Sequence, residues 1–142
     1  MTSLLDVNVL IALLDADHVH HLRAKHWLLS QADPAWASCP ITQNGFVRIT
    51  SQAAYPGHVT VSQSVSLLAS AASSPHHQFW PDDLSLLDDS IINFAVLHGS
   101  KQVTDVYLLA LAVKNGGRLV AFDRAITLNS VLGAEPDHLV IL

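Results

Sequence analysis

The sequence predicts an α/β fold in which a central, mostly parallel sheet of four to five strands is flanked by helices, with residues 1–142 forming one domain. Three observations carry this prediction. The apolar runs Ser3-Leu4-Leu5 and Leu119-Val120-Ala121-Phe122 are continuous rather than alternating, as strands covered on both faces are. Short runs of this kind alternate along the chain with stretches of helical spacing, the signature of a parallel sheet with crossover helices. Aspartates stand where these runs stop: Asp6 after the first and Asp123 after the second, while Asp105 opens a strongly apolar helix.

In order along the chain, Val7 to Leu14 reads as a short helix closing near Asp15-Ala16-Asp17. His18 to Gln31 is an amphipathic helix with Val19, Leu22, Ala24, Trp27 and Leu28 on its apolar side. Trp36 to Cys39 is the second strand, and Pro40 suits the first turn of the helix that continues through Ile41 to Ala53. Tyr55-Pro56-Gly57 marks a turn, and Ser62 to Ser73 is the next helix. Gln78 to Trp80 is a third strand, ended by Pro81-Asp82-Asp83. A helix is expected over Asp88 to Leu97, with Gly99 as its left-handed stop. The best helix is Thr104 to Val113, capped by Thr104 and ended at Asn115-Gly116-Gly117. Strands at Arg118 to Phe122 and His138 to Leu142 complete the series.

Composition narrows the function classes. Half of the residues are apolar and 13% are charged, which excludes a disordered chain. So low a charge density leads us to expect a partner over part of the apolar surface. With 12 acids against 7 bases the formal net charge is −5, the wrong sign for a protein that binds polyanions by bulk attraction. Cys39 is the only cysteine, which leaves neither an intramolecular disulfide nor a thiolate zinc cluster. The apolar stretch Met1 to Leu14 lacks a basic leader and is broken by Asp6 and Asn8, so it reads as neither signal peptide nor membrane span. A cytoplasmic protein is the expectation.

The acids are the chemistry. Ligands of open parallel sheets bind beyond the carboxyl ends of the strands, where strand order reverses. Two strand-end carboxylates and one at a helix start would crowd negative charge into that crevice, where like charges repel unless a cation neutralises them. An oxygen-only site suits Mg²⁺, with Mn²⁺ as a substitute. Taken singly, each aspartate has a plainer reading: turn or cap for Asp6 and Asp123, dipole partner for Asp105. Their joint placement favours the metal.

Three segments carry a family resemblance. Leu4-Leu5-Asp6-Val7-Asn8-Val9-Leu10-Ile11-Ala12-Leu13-Leu14 resembles the opening signature of PIN-domain ribonucleases. Val103-Thr104-Asp105-Val106-Tyr107-Leu108-Leu109-Ala110-Leu111-Ala112 is similar to their second acidic motif, and Leu119-Val120-Ala121-Phe122-Asp123-Arg124 to the third. Their order spans nearly the whole chain, and the VapC toxins of bacterial toxin–antitoxin pairs are the closest type. Asp17-His18-Val19-His20-His21 and Cys39-Pro40-Ile41-Thr42-Gln43-Asn44-Gly45-Phe46-Val47-Arg48 resemble a subgroup abundant in actinobacteria.

The resemblance implies a Mg²⁺-dependent endoribonuclease with a PIN fold, with Asp6, Asp105 and Asp123 as catalytic, metal-binding carboxylates. It implies cleavage by a metal-activated water, leaving 5′-phosphate and 3′-hydroxyl ends. A cognate VapB-type antitoxin, an RNA substrate and a homodimer come with it. Leu10, Leu13, Leu14, Val19 and Trp27 would line the antitoxin groove, and a basic side chain of the antitoxin would enter the acidic pocket. The chain departs from the family where many members carry a glutamate on the helix after the second strand: Gln43 and Asn44 stand there, and Glu135 is the only glutamate. That points to one firmly held ion, with Gln43 a water-mediated ligand. Asn8 either orients a cluster carboxylate or caps the first helix, and Thr104 is cap or second-layer donor.

The remaining signals have plainer readings. The nine histidines include His18, His20, His21 and His26, but no cysteine or carboxylate joins them at a zinc spacing. Trp27, Trp36 and Trp80 pack in the core rather than stack on bases, and Asp82, Asp83, Asp88 and Asp89 cap or face solvent. A phosphoacceptor receiver domain would need paired acids after the first strand, where Asp6 stands alone. A haloacid-dehalogenase-like phosphatase would need Asp-x-Asp, where the chain has Asp6-Val7-Asn8. A catalytically degenerate PIN-like binding module is the other alternative. The RNA target is not written in the sequence.

Overall fold

The structure, a computed structural model, describes residues 1–142. Five strands, β1 (Ser3–Leu5), β2 (Trp36–Ser38), β3 (His77–Phe79), β4 (Arg118–Ala121) and β5 (Leu139–Ile141), pair in parallel in the order β3-β2-β1-β4-β5. The helices are α1 (Val7–Leu14), α2 (His21–Ser30), α3 (Pro40–Thr50), α4 (Val61–Ala72) and α5 (Val103–Lys114). The central pair is β1 and β4, in register at Leu5 and Val120. The chain first builds outward from β1 to β3 and then crosses back to β4 on the other side. The switch in strand order therefore lies between β1 and β4.

Alternation along each short strand divides the core into two layers. Leu4, Ala37, Leu119 and Ala121 face α5. Leu5, Trp36 and Val120 face α1, α2, α3 and α4, through Val9, Leu10, Ala24, Phe46 and Leu68. Because both faces are covered, the strands are continuously apolar. Every residue of α5 from Val106 to Ala112 is buried. Its outer side is roofed by Leu84, Leu86, Ile91 and Leu97, and the Tyr107 hydroxyl donates to the Leu84 carbonyl at 3.0 Å. Truncating Leu108, Leu109 or Leu111, each essentially inaccessible, would cost about 2–5 kcal/mol.

The roof corrects one expectation. Asp88 to Leu97 is not a helix but turns, a single bridge between Ile92 and Val131, and a 3₁₀ turn over Phe94–Val96. The Asp88 carboxylate takes the backbone N–H and hydroxyl of Ser90, and the Asn93 side chain accepts from the Ala95 N–H. These local bonds satisfy the backbone in place of a helical ladder. Gly99 accordingly ends no helix and has an extended φ of −141°. By contrast Gly116, at φ +63°, makes the expected left-handed exit from α5.

Two boundaries also differ. The second helix starts at His21 rather than His18, because the His18 ring accepts the His20 N–H and fixes a turn first. The helix after β2 ends at Thr50, where the Thr50 hydroxyl donates to the Phe46 carbonyl, rather than at Ala53. No helix is long and apolar enough to cross a membrane.

Candidate active site

The carboxyl ends of β1 and β4 open into a cleft of about 400 Å³ lined by Asp6, Asp105 and Asp123, together with Asn8, Asn44, Arg48, Lys101 and Thr104. Each acid is placed by a different piece of backbone. The Asp6 N–H extends the sheet by donating to the Val120 carbonyl at 3.0 Å, and its own carbonyl accepts the Leu10 N–H at 2.9 Å, starting α1. Asp6 thus belongs to the sheet edge and the helix start at once. Asp105 lies in the first turn of α5, whose buried face fixes its azimuth. Asp123 follows β4 by two residues, and its Oδ1 accepts the Ala125 N–H at 2.8 Å, a tight turn that holds the carboxylate at the rim.

Electrostatics mark the cleft as deficient in cations. Burial raises the Asp6 carboxyl above the ordinary carboxylate range; the N–H groups of Val7 and Asn8 partly offset this, and Asp123 adds to it. Burial, followed by the charges of Asp6 and Asp123, pushes Asp105 up to about 6. The two ion pairs in the molecule, Met1–Asp33 and Lys114–Asp83, both lie elsewhere, and although Arg48 and Lys101 line the cleft, neither is ion-paired with the three acids. As the side chains lie, no three of the acids, histidines or cysteines stand tightly enough together to ligate one ion. The acids share a cleft without closing on its centre. A hard oxygen donor set that runs from buried Asp6 through half-buried Asp105 to exposed Asp123, mutually repelling and without ion pairs, fits a divalent cation.

The remaining predicted residues divide. Asn8 and Thr104 line the cleft, but Thr104 lies inside the first turn of α5 and is not its cap, which is Gln102. Gln43 does not reach the acids. Its side-chain N–H donates to the Ser38 hydroxyl at 3.0 Å, and it lines a separate groove between α3 and α4. On α3 the residues lining the cleft are Ile41, Asn44, Gly45, Arg48 and Ile49, the i, i+3, i+4, i+7, i+8 face. Residue 43 is out of phase with it. Arg48 and Lys101 are the cleft residues that sequence reading did not single out; the phase of α3 would have found Arg48.

Other candidates are absorbed by packing. The ring Nδ1 of His21 lies 2.8 Å from the Ala12 carbonyl, and His20 packs on Phe122 at 4.9 Å. Trp36 and Trp80 are buried, and Trp27 stacks under the Arg118 guanidinium at 5.2 Å. The Asp82 carboxylate accepts the Ile41 N–H at the start of α3. Burial raises the Cys39 thiol to about 11, which keeps it protonated and unreactive.

A parallel sheet of this order, with acids from β1, β4 and the helix before β4 at its switch point, defines a class of α/β domains built around a carboxylate cleft. The family described as PIN domain matches residues 3–130, and the chain belongs to it. It is 53% identical to Ribonuclease VapC44 of Mycobacterium tuberculosis over the full length of both chains. It is 43% identical to Ribonuclease VapC39 of the same organism, over 89% of this chain and 91% of that one. The fold is also that of Mycobacterium tuberculosis VapC20, a sarcin–ricin-loop-cleaving toxin, at a TM-score of 0.64 and 14% identity, covering 94% of this chain and 99% of that one. VapBC2 from Rickettsia felis, solved on a DNA fragment from its promoter, matches at a TM-score of 0.53 and 11% identity over 87% and 89%. The family match leaves the receiver and phosphatase alternatives without support, and PIN-domain ribonucleases depend on a divalent metal.

Proposed function

We propose that this chain is the toxin of a type II toxin–antitoxin pair: an endoribonuclease that acts in the cytoplasm as one domain over residues 1–142 and is silenced by a VapB-type antitoxin. One observation carries the reading. Three carboxylates from three separate elements line a single cleft, and none of them is ion-paired with a protein cation. The name of a relative 53% identical over the full chain, a ribonuclease, supports the activity.

The residues have distinct roles in this reading. Asp6, Asp105 and Asp123 would hold Mg²⁺, for which Mn²⁺ would substitute. When bound, the ion supplies charge neutralisation at the scissile phosphate and a more acidic water. Asp6, the most buried of the three, gives the fixed point of the cluster. Asp105 is ionised above about pH 6 and is the acid that a proton and a cation compete for. Asn8 and Thr104 line the cleft and are the side chains that would hydrogen-bond carboxylate oxygens or water around a bound ion. No side-chain nucleophile is required, and the products carry 5′-phosphate and 3′-hydroxyl ends.

The docking site we assign to the antitoxin is a second cleft, of about 220 Å³ and wholly apolar, formed by Leu5, Leu10, Leu13, Leu14, Leu28, Trp36 and Ala71. Of the residues expected in the antitoxin groove, Leu10, Leu13 and Leu14 line this cleft and Val19 and Trp27 do not. An amphipathic helix laid in the cleft covers its leucines, and a basic residue of its tail then reaches the acids. The toxin pairs as a homodimer.

The test is to strip the antitoxin, add Mg²⁺ in large excess, and map RNA ends by sequencing. Wild type should produce 5′-phosphate ends, and Asp105→Asn should lower the rate at least ~100-fold. Equal cleavage by both proteins would sink the assignment, and inert wild type would favour a degenerate binding module.

A further inference from the structure

The chain carries seven lysines and arginines, and their placement is uneven. Lys114 is paired with Asp83 at the far end of α5. Arg118, at the amino-terminal end of β4, is tied to Ser3 and Gln31. Arg23 and Lys25 lie on α2, and Arg124 follows Asp123 without lining the cleft. Only Arg48 and Lys101 line the acidic cleft. Both are exposed, and neither forms an ion pair with the acids they accompany.

That arrangement needs a reason. Arg48 rises from α3, which packs on one face of the sheet through Phe46. Lys101 lies in the 3₁₀ turn Ser100–Gln102 that runs straight into α5, on the opposite face. The acids lie at the sheet edge and the start of α5, where these two walls meet. Arg48 stands one turn beyond Asn44 and three residues beyond Gly45, whose missing side chain lets α3 close against Val7, the residue after Asp6. A cation on each wall with carboxylates between them matches a chain of phosphates: the cleaved one at the metal, its neighbours at the two cations.

The geometry points to Arg48 and Lys101 as a two-sided clamp for the RNA phosphates flanking the cleaved bond, an inference that rests on the ribonuclease reading above. Arg48 grips its phosphate through a planar, bidentate fork; Lys101 supplies a point charge on a flexible stem. The clamp explains how a chain of net charge −5 holds a polyanion: attraction is concentrated at two side chains rather than spread over a basic face. Both are positioning residues and act on binding rather than on the water that attacks.

The test measures binding of a fluorescein-labelled, mixed-sequence single-stranded RNA dodecamer by anisotropy, from about 50 to 200 mM salt. The protein is antitoxin-free and carries Asp105→Asn to prevent cleavage. Arg48→Ala and Lys101→Ala should each weaken binding about tenfold and reduce the salt slope by about 0.7, the share of one phosphate contact on a single strand. Arg48→Lys should restore the slope but only part of the affinity, and Arg23→Ala and Lys25→Ala should change neither. In the cleavage-competent background the clamp variants should raise KM and leave kcat within about threefold.

Unchanged affinity and slope in both variants would overturn the clamp while leaving the nuclease assignment intact, provided wild type cleaves. A fall in kcat at constant KM would also overturn it, since the cations would then be tuning the acids. If the substitutions weaken antitoxin binding but not RNA binding, the two residues serve the partner and the clamp is wrong. Wild type that neither binds nor cleaves RNA would overturn the clamp and the ribonuclease reading together.

Discussion

Gly45 of α3 packs against the side chain of Val7 so closely that a Cβ at position 45 would lie 2.7 Å from Val7 Cγ2. Val7 is the first residue of α1 and follows Asp6 directly. The contact therefore fixes how near the Asn44–Arg48 face of α3 comes to the first acid. A β-branched residue in a helix has one strongly preferred rotamer, so Val7 has little room to turn away.

Gly45→Ala should consequently destabilise the protein despite the gain in helix propensity, which is about 1 kcal/mol. Overpacking costs about 1–3 kcal/mol and also pushes α3 outward. The expected result is a Tm lowered by a few degrees together with a loss of activity larger than the stability change explains. Thermal melts of Gly45→Ala and of Val7→Ala/Gly45→Ala check this, because the second substitution removes the obstructing methyl groups. If the double variant melts no higher than Gly45→Ala alone, the contact is not the cause.

Asp105 gives a pH dependence whose sign is fixed. Its carboxyl is raised to about 6 in the folded protein, against about 3.9 in an unfolded chain. The folded state then binds the proton more tightly, so stability from this group is present at low pH and is lost as pH rises through the window from about 4 to 6. His77 opposes it: burial lowers its pKa, and protonating it at low pH destabilises the fold. Subtracting the Tm-against-pH curve of Asp105→Asn from that of metal-free wild type isolates the aspartate. The difference should favour wild type more at pH 5 than at pH 7, and saturating Mg²⁺ should reverse it above pH 6. A flat difference curve would contradict the electrostatic description of the cleft.

The sheet and the acids were legible in the sequence for one reason: strands covered on both faces are continuously apolar, and Asp6 and Asp123 stand where that continuity fails. The same logic exposed α5, whose apolar residues need burial on all sides. It failed at Asp88 to Leu97, where Ile92, Ala95 and Val96 stand at helical spacing but the segment serves, through Ile91, Ile92 and Leu97, as a lid over α5. There Asp88 and Asn93 bind their own backbone, a competition that hydrophobic periodicity does not register. It was also blind to helix phase on α3. The choice between Gln43 and Asn44 depends on where Cys39 ends the strand and the helix begins, and one residue rotates the face by about 100°.

That phase is open to a direct test. Asn44 lines the acidic cleft, whereas Gln43 faces the α3–α4 groove and is held by Ser38. Asn44→Glu should add a fourth carboxylate to the cleft and tighten divalent-ion binding by about tenfold or more, as the size of neighbouring-group effects at metal sites implies. Gln43→Glu should leave metal affinity unchanged while costing stability, because a carboxylate there cannot donate to the Ser38 hydroxyl. Titration calorimetry of both variants with Mn²⁺ decides it. Tighter binding in Gln43→Glu alone would mean that the glutamine, not the asparagine, addresses the ion.

The apolar cleft between α1, α2 and α4 supplies the last prediction. Leu13, Leu14 and Leu28 line it and remain only partly covered, an arrangement that leaves apolar surface in water unless something occupies it. Leu14→Glu leaves the isolated toxin folded, because that side chain already reaches solvent. In the complex with an antitoxin helix, the same carboxylate is buried without a partner, at a cost of about 3–5 kcal/mol, or more than a hundredfold in affinity. The expected phenotype is a toxin that keeps its nuclease activity and escapes neutralisation, so cells co-expressing the antitoxin stop growing. Co-purification of the pair, with cleavage assayed on the unstripped sample, measures both effects. Undiminished co-purification would place the antitoxin on another surface, and the α3–α4 groove lined by Val47, Val65 and Leu68 would then be the next to probe.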